Sequence, residues 1–286
     1  MKPITIGDIQ VTSIVERQGP WRHPADFFLD IDPAAMRARM LELGPVVYDA
    51  AQDMIIVTYQ TFILRTRHHV ILVDTCTGED KSGLGPKFDY SKQPWLDGLA
   101  AEGLGFGDID YVFCTHLHFD HTGWNTVDQD GAPTPLFPNA RHVVQQTEWD
   151  YWASGAENAA SDRPTVLDPI TEAGLWDFVD GEHALTREVV TLPTPGHTPG
   201  HVSFLLSSGS AAVIVLGDAA HSPVQVSEPE WCIGADVDKV AARRSRRGIW
   251  DRAEQEGTAI ATNHFPFPGI GQVVTRDGKQ RWEPSA

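Results

Sequence analysis

Hydrophobic and polar positions along this chain form segments that predict strands, with helical patterns between them. Residues 4–16 and 54–75 are rich in Ile, Val and Thr and partly alternate with period two, which predicts strands with a turn near His68. A helical pattern begins at Asp32-Pro33 and stops at Gly44-Pro45, where start and stop signals are both present. These elements predict a sheet with at least one helix packed nearby.

The same kind of pattern continues to the end of the chain. Helices are predicted over 92–103, 147–152, 168–178 and 236–256, and strands over 111–114, 141–145, 189–192, 202–206, 212–216 and 258–262, before a hairpin-like tail near Gly278. Two similar halves, each with strands followed by helices, predict an α/β fold in which two sheets form a sandwich with helices outside. Because no linker divides the halves, we expect a single domain over residues 1–286, with residues 20–45 as a candidate lid.

Composition narrows the class of protein. The chain is 41% hydrophobic and 21% charged, which is typical of globular proteins, and its formal charge of −17 would repel a polyanion. Three scattered cysteines do not form a disulfide framework. The longest apolar run, residues 211–216, is far shorter than a membrane span, and no signal peptide is recognisable. We therefore expect a cytoplasmic protein that binds neither nucleic acid nor membrane.

A dense group of histidines follows the predicted strand at 111–114. The segment Thr115-His116-Leu117-His118-Phe119-Asp120-His121 places three imidazoles and one carboxylate within six positions. The alternating positions 116, 118 and 120 are expected on one side of an extended loop and His121 on the other, which suits two neighbouring cations. Packing alone does not account for such a density of ligand-type side chains.

Further candidate ligands follow other predicted strands. His197, Asp218, His264 and Asp74 each come after an apolar segment and lie at a turn. Imidazole and carboxylate ligands without thiolate favour zinc, although manganese, iron and cobalt remain alternatives. We interpret His201 as a core residue or a neighbour of the site, His142 as a surface or packing residue, and the run Arg243–Arg247 as a solvated helix face.

This arrangement resembles the metallo-β-lactamase superfamily, whose signature is His-x-His-x-Asp-His followed by a distant His, an Asp and a last His. The resemblance extends from about residue 55 to residue 270, and its lactonase and organophosphate-hydrolase branch is the most similar. It implies an αββα sandwich of two mixed β-sheets flanked by helices. It also implies two metal ions, one held by His116, His118 and His197 and the other by Asp120, His121 and His264, with Asp218 bridging both and Asp74 supporting the ligand loop.

The resemblance implies a metal-dependent hydrolase of the lactonase or esterase type. Two zinc ions, or manganese, cobalt or iron in their place, would share a bridging hydroxide that attacks the substrate carbonyl. We expect Asp120 to act both as a ligand and as a proton shuttle to the leaving group. His221 lies where lactone-hydrolysing members have a tyrosine, and we expect it to donate a hydrogen bond to the developing oxyanion.

The predicted substrate is a small lactone or related carboxylic ester, because aromatic residues near the motifs suit a neutral molecule. Six aromatic candidates for the pocket wall are Phe119, Trp124, Trp149, Trp152, Trp231 and Phe265. The alternatives are an organophosphate triester, a β-lactam, or a persulfide oxidised by a mononuclear-iron sulfur dioxygenase of the same fold. A homodimer is the oligomeric state that we consider.

Overall fold

The computed structural model describes residues 3–79, 86–155 and 163–285. The strands in chain order are β1 (Ile4–Ile6), β2 (Ile9–Arg22), β3 (Tyr48–Asp49), β4 (Met54–Arg65), β5 (Val70–Val73), β6 (Tyr111–Phe113), β7 (Thr126–Gln129), β8 (Ala132–Pro135), β9 (Arg141–Gln145), β10 (Trp176–Val179), β11 (Val189–Pro193), β12 (Val202–Ser208), β13 (Ala211–Val215), β14 (Ala259–Ala261), β15 (Ile270–Arg276) and β16 (Lys279–Pro284). The α-helices are α1 (Pro24–Phe27), α2 (Pro33–Leu43), α3 (Gln93–Ala101), α4 (Phe119–Thr122), α5 (Gln146–Ala153), α6 (Asp168–Glu172), α7 (Val224–Ser227) and α8 (Lys239–Glu256).

Two mixed sheets form the centre of the molecule. The first has the order β1-β2-β4-β5-β6-β9-β10, with β3 paired to β4, and the second has the order β11-β12-β13-β14-β15-β16. Strands β5, β6, β9 and β10 run parallel to one another, as do β13 and β14, and the other neighbouring strands within these two sheets are antiparallel. A separate hairpin joins β7 and β8. The predicted pair of mixed sheets is therefore confirmed.

The two sheets form three apolar clusters, one between their inner faces and one on the outer face of each sheet. The middle cluster joins the sheets, and Phe113 of β6 stacks on Phe204 of β12 with ring centroids 5.3 Å apart. The outer face of the first sheet packs against helices through residues such as Trp95 of α3. The outer face of the second sheet packs against α8 through Ile249 and Trp250. This layering is the predicted αββα sandwich, and it supports our proposal that residues 1–286 form one domain.

Two predicted elements differ from the structure. The strand predicted over 4–16 is a hairpin, because Gly7 has φ +56° and turns the chain between β1 and β2. The helix predicted over 168–178 was wrong beyond Glu172, since Gly174 has φ +65° and the next residues form β10, parallel to β9. Tertiary pairing with β9 outweighs the helical pattern of this segment.

The remaining helices mostly begin and end where the sequence signals predict. Asp32 caps α2 by accepting a hydrogen bond from the Ala35 amide, and Gly44 follows its last turn. Asp238 caps α8 in the same way, and Gly257 ends it with φ +62°. Among the described residues, no helix combines the length and apolar composition that crossing a bilayer requires.

Candidate metal centre

The ligand loop starts where β6 ends inside the sandwich. The chain leaves Phe113, bends at Thr115 and the buried His116, and then forms the short helix α4, which begins after His118. Asp120 and His121 are therefore carried on a helical turn, while His116 and His118 precede it. Two different backbone conformations in one loop aim these side chains in different directions.

The structure gathers all seven predicted ligands into two adjacent sets at one edge of the sheets. His116, His118, His197 and Asp218 form one set, and Asp120, His121 and His264 form the other. Within each set, the candidate ligand atoms lie within 4.8 Å of one another. His197 follows β11, Asp218 follows β13 and His264 follows β14, so the second sheet supplies the distant members.

Asp218 lies between the two sets with one carboxylate oxygen toward each. Its Oδ2 is 3.2 Å from Nε2 of His197 and 3.6 Å from Nε2 of His116. Its Oδ1 is 3.1 Å from Nε2 of His121 and also 3.1 Å from Nε2 of His264. This position is the one that a residue bridging two cations would need.

Hydrogen bonds behind the second set fix which ring nitrogen faces inward. Nδ1 of His264 donates to the Thr58 carbonyl at 2.8 Å, and because a carbonyl only accepts, the inward Nε2 keeps its lone pair. Nδ1 of His121 lies 2.8 Å from Oδ2 of Asp74. Asp74 also accepts from the amide and the hydroxyl of Thr115, both at 2.9 Å. Asp74 therefore holds the ligand loop from behind, in agreement with its predicted place.

The first set has a support that sequence reasoning missed. Nδ1 of His197 lies 3.0 Å from Oδ1 of Asp236, and the other oxygen of Asp236 lies 3.6 Å from the guanidinium of Arg246. Arg246 is fully buried and donates to the carbonyls of Ala219 and Trp231, so it does not belong to a solvated helix face. The predicted solvation of this position was wrong, because Nε and Nη1 of the guanidinium donate to buried backbone carbonyls around the site. Because the helical pattern alone does not show which side of α8 is buried, the sequence held no signal for this position.

Glu148 joins the loops that carry His116 and His197, a role that sequence reasoning missed. The carboxylate is buried and accepts from the amides of Leu117 and Gly200 at 3.0 and 3.1 Å and from the indole of Trp152 at 2.6 Å. A Cβ at position 200 would lie 2.1 Å from the Glu148 amide nitrogen, so only glycine allows this approach. The segments around His116 and His197 are thereby held together.

Several buried carboxylates lie beside the imidazoles of the centre and change their pKa values. Burial alone would lower the pKa of His197, but the carboxylates of Asp218 and Asp236 raise it to about 9. Burial likewise opposes protonation of His121, yet Asp218 above all raises its pKa well above the usual range. Burial lowers the pKa of His116 well below its usual range. Acidic groups therefore surround a site made of nitrogen donors, as a cation site requires.

The donor set fits a cation better than it fits a hydrogen-bond network. Nδ1 of His118 lies 2.8 Å from Nε2 of His116 and 2.9 Å from Nε2 of His197, and Nε2 of His121 lies 3.2 Å from Nε2 of His264. A neutral imidazole carries one proton, and the outer nitrogens of four of these rings already hold partners, those of His116, His121, His197 and His264. The inward nitrogens thus converge with lone pairs, which is the arrangement of a metal ligand set.

A pocket of about 280 Å³ opens above the centre. Of the six aromatic residues predicted for its wall, only Phe119 lines it, and Trp124 and Phe265 are core residues. Its remaining aromatic wall, which the sequence did not identify, consists of Trp21, Phe27, Tyr59 and Phe88. Trp21 and Phe27 belong to residues 20–45, so the candidate lid contributes to the pocket, and its opening and closing stay a prediction.

His221 lies in this pocket next to the first set. Its Nε2 is 3.0 Å from Oδ2 of Asp218, its ring stacks on His264 at 5.5 Å, and Phe27 contacts it edge-on at 5.9 Å. His201 lies deeper and accepts a hydrogen bond from the Asp218 amide at 2.8 Å. Of these two histidines, His221 lines the pocket and His201 does not.

Comparison with known proteins places this fold and its ligands in a family. The sequence profile of the metallo-beta-lactamase superfamily matches residues 57–261. The chain belongs to this superfamily. The match spans the ligand loop, His197 and Asp218 and ends three residues before His264.

Several relatives in the metallo-β-lactamase superfamily carry names of lactonases. The chain is 32% identical over 180 residues to the N-acyl homoserine lactonase AttM of Azorhizobium caulinodans, which covers 59% of this chain and 62% of that protein. It is 32% identical over 117 residues to an N-acyl homoserine lactonase of Bacillus thuringiensis, covering 40% of each. The alignments thus span less than two thirds of these relatives' own length.

Solved structures of the superfamily are similar over the whole chain. The hydrolase AbOPH superposes with a TM-score of 0.84 at 24% identity, covering 100% of this chain and 97% of that one. AidC, a dizinc quorum-quenching lactonase in complex with a product, also reaches 0.84, at 23% identity and with the same coverage. At these identities the likeness confirms the metallo-β-lactamase fold.

Proposed function

We propose that this chain is a dinuclear-metal hydrolase that opens a lactone or related carboxylic ester. The observation that carries the proposal is Asp218, which presents one carboxylate oxygen to each of two facing ligand sets. A single-ion site needs only the first set, His116, His118, His197 and Asp218. The second set, with its own backing from Asp74 and the Thr58 carbonyl, supports a second cation.

The proposed metal is zinc, with manganese, cobalt and iron as alternatives that accept the same nitrogen and oxygen ligands. His116, His118 and His197 would hold one ion, Asp120, His121 and His264 the other, and Asp218 both. When bound, such a pair supplies an acidified water as nucleophile and polarises the substrate carbonyl. No serine or cysteine nucleophile is then needed.

Asp120 is the proposed proton carrier to the leaving group. Its side chain is 16% exposed, whereas those of His121 and Asp218 are 1% and 4% exposed, so it lies at the pocket edge of its set. One carboxylate oxygen lies 3.7 Å from Nε2 of His264, within reach of the reaction centre. Water adds to the carbonyl carbon, the ring carbon–oxygen bond breaks, and the proton taken from water is delivered to the leaving oxygen.

His221 is the proposed hydrogen-bond donor to the carbonyl oxygen. It lines the pocket on the side of the first set, 3.0 Å from Asp218. A donor aimed at the place where negative charge develops lowers the barrier, because its orientation is fixed before the reaction begins. Its ring is held between His264 and Phe27, which limits its rotation.

A neutral lactone or ester is the proposed substrate class. Aromatic residues form much of the pocket wall, and two relatives are named N-acyl homoserine lactonases. A pocket of this size and lining accommodates a small ring with a short apolar chain. The homodimer and the cytoplasmic location stay predictions.

Metal analysis and a substrate panel test the proposal together. Purified protein should contain about two divalent ions per chain and hydrolyse an uncharged γ-lactone, with a phosphotriester and a β-lactam as comparison substrates. One iron per chain together with oxygen uptake on a persulfide would instead show a sulfur dioxygenase. Two bound ions without turnover on any lactone or ester would refute the proposed substrate class.

A further inference from the structure

Tyr59 of β4 lies on the wall of the pocket that also contains His221. Tyr59 is 3% exposed and lines the pocket together with Asp120 and His264. The ring meets His264 edge-on at 5.5 Å and Trp21 edge-on at 5.9 Å, so packing on two sides fixes its orientation. Its contact with His264 places it beside the second ligand set.

The hydroxyl of Tyr59 has no use in the fold itself. Within residues 3–79, 86–155 and 163–285, the hydroxyl has no hydrogen-bond partner. It is not sealed from solvent, and its residue lines the pocket. A buried phenol normally finds a partner. The other buried tyrosine of the outer cluster, Tyr48, shows this, since its hydroxyl bonds to Arg37 and Asp53.

We propose that the Tyr59 hydroxyl donates a hydrogen bond to the leaving oxygen of the substrate as the ring opens. This inference rests on the proposed hydrolase function and adds a second substrate contact to it. His221 faces the carbonyl oxygen from the second sheet, whereas Tyr59 faces the leaving oxygen from the first. A phenol is ordinarily protonated at neutral pH, so the Tyr59 hydroxyl can act as a donor.

The leaving oxygen of a lactone needs such a donor. When the carbon–oxygen bond breaks, the electron pair goes to oxygen and forms an alkoxide, which takes a proton from Asp120 to give the hydroxy acid. A hydrogen bond to that oxygen is stronger in the transition state than in the ground state, so it accelerates the step. A thiolactone releases a thiolate, which is a far weaker base and a poor hydrogen-bond acceptor.

The decisive variant is Tyr59→Phe, measured on a γ-butyrolactone derivative and on the thiolactone with the same acyl chain. We expect kcat/KM on the lactone to fall roughly 10- to 100-fold and that on the thiolactone by less than about 3-fold. Metal content should stay at the wild-type value, because Phe keeps the ring contacts with His264 and Trp21. Tyr48→Phe, which removes a buried hydroxyl away from the pocket, should leave kcat/KM unchanged on both substrates.

Equal losses on both substrates, no loss on either, or metal release from Tyr59→Phe would each overturn the assignment. The first would mean that the ring only shapes the pocket, the second that the hydroxyl is not used, and the third that it supports the ligands. Wild-type protein that binds two ions but opens neither ring would refute the proposed function itself. Measurements on the wild-type protein therefore separate failure of the proposed function from failure of the Tyr59 assignment.

Discussion

Histidine is buried in two regions of this molecule, and the two environments have opposite effects on it. His197 in the metal centre lies against the carboxylates of Asp218 and Asp236, and its pKa is raised to about 9. His142 on β9 is equally buried but packs against Trp176 beside the charge of Arg141. Burial and that charge lower its pKa to about 3.

The difference shows what distinguishes a metal centre from a buried packing residue. Burial disfavours the charged imidazole in both places, so burial alone identifies nothing. Of these two environments, only the metal centre surrounds its histidines with carboxylates and with acceptors on their outer nitrogens. Changes in the pocket should therefore affect metal binding and turnover, and a change at His142 should affect stability alone.

The largest effect is expected from Asp218→Ala, which removes the shared carboxylate of both ligand sets. Both ions should be lost on dialysis, and kcat/KM on a lactone should fall roughly 1,000-fold or more, because the acidified water goes with them. Elemental analysis and kinetics measure the two losses. Asp97→Ala, on the exposed face of α3, is the control and should change neither. Retention of two ions would contradict the bridging position.

His221→Ala should have the next largest effect and should separate turnover from metal binding. Losing the donor to the carbonyl oxygen should lower kcat roughly 10- to 100-fold, because charge on that oxygen is then less stabilised. Two ions per chain should remain, since His221 belongs to neither ligand set. Elemental analysis of the same preparation measures the bound ions. Metal loss equal to that of Asp218→Ala would mean that His221 is a metal ligand and not only a hydrogen-bond donor.

Asp236→Asn tests whether the carboxylates behind the histidines matter individually. His197 would lose its charged partner, and the affinity for one of the two ions should fall about 10- to 100-fold. Competition with a chelator should then remove one ion at a lower chelator concentration than the other. Asp251→Asn, on the exposed surface of α8, is the matched control. Equal weakening of both ions would mean that Asp236 supports the whole centre rather than the first set.

The sequence predicted which side chains converge better than it predicted what surrounds them, and the contrast has a physical reason. His116 to His121 and the downstream His197, Asp218 and His264 stand in a fixed spacing after strands, so local pattern reveals them. Arg246, Asp236 and Glu148 reach the centre from α8, from the loop before it and from α5. Which side of a helix or loop faces the site depends on packing between the layers, and no short pattern records it.

The aromatic wall of the pocket was also poorly predicted from local sequence pattern. Trp124 and Phe265 are close in sequence to ligands, yet they point into the core, while Trp21 and Tyr59 come from β2 and β4 of the first sheet. Neighbours in sequence share a loop with a ligand, but alternate side chains point to opposite faces. The pocket is built across the two long antiparallel strands, whose register of Arg17 opposite Tyr59 only the folded chain reveals.

The smallest effect concerns His142, the buried histidine without carboxylates. Its folded pKa of about 3 lies below the unfolded value of 6.5, so the unfolded chain binds more protons between these values. Stability from this residue is therefore fully present above pH 6.5 and is lost as the pH falls toward 3. Between pH 7 and pH 5, the free energy of unfolding should fall by about 2 kcal/mol on this account.

His142→Gln, which cannot titrate in this range, isolates that contribution. Urea unfolding of both proteins at pH 7 and pH 5 gives the change for each, and the wild-type decrease should exceed that of the variant by about 2 kcal/mol. Titration of the metal centre is common to both proteins and cancels in the difference. The variant should also keep two ions and wild-type turnover at pH 7. An identical pH dependence in the two proteins would mean that His142 accepts a proton inside the fold, and the contrast with His197 would then have another cause.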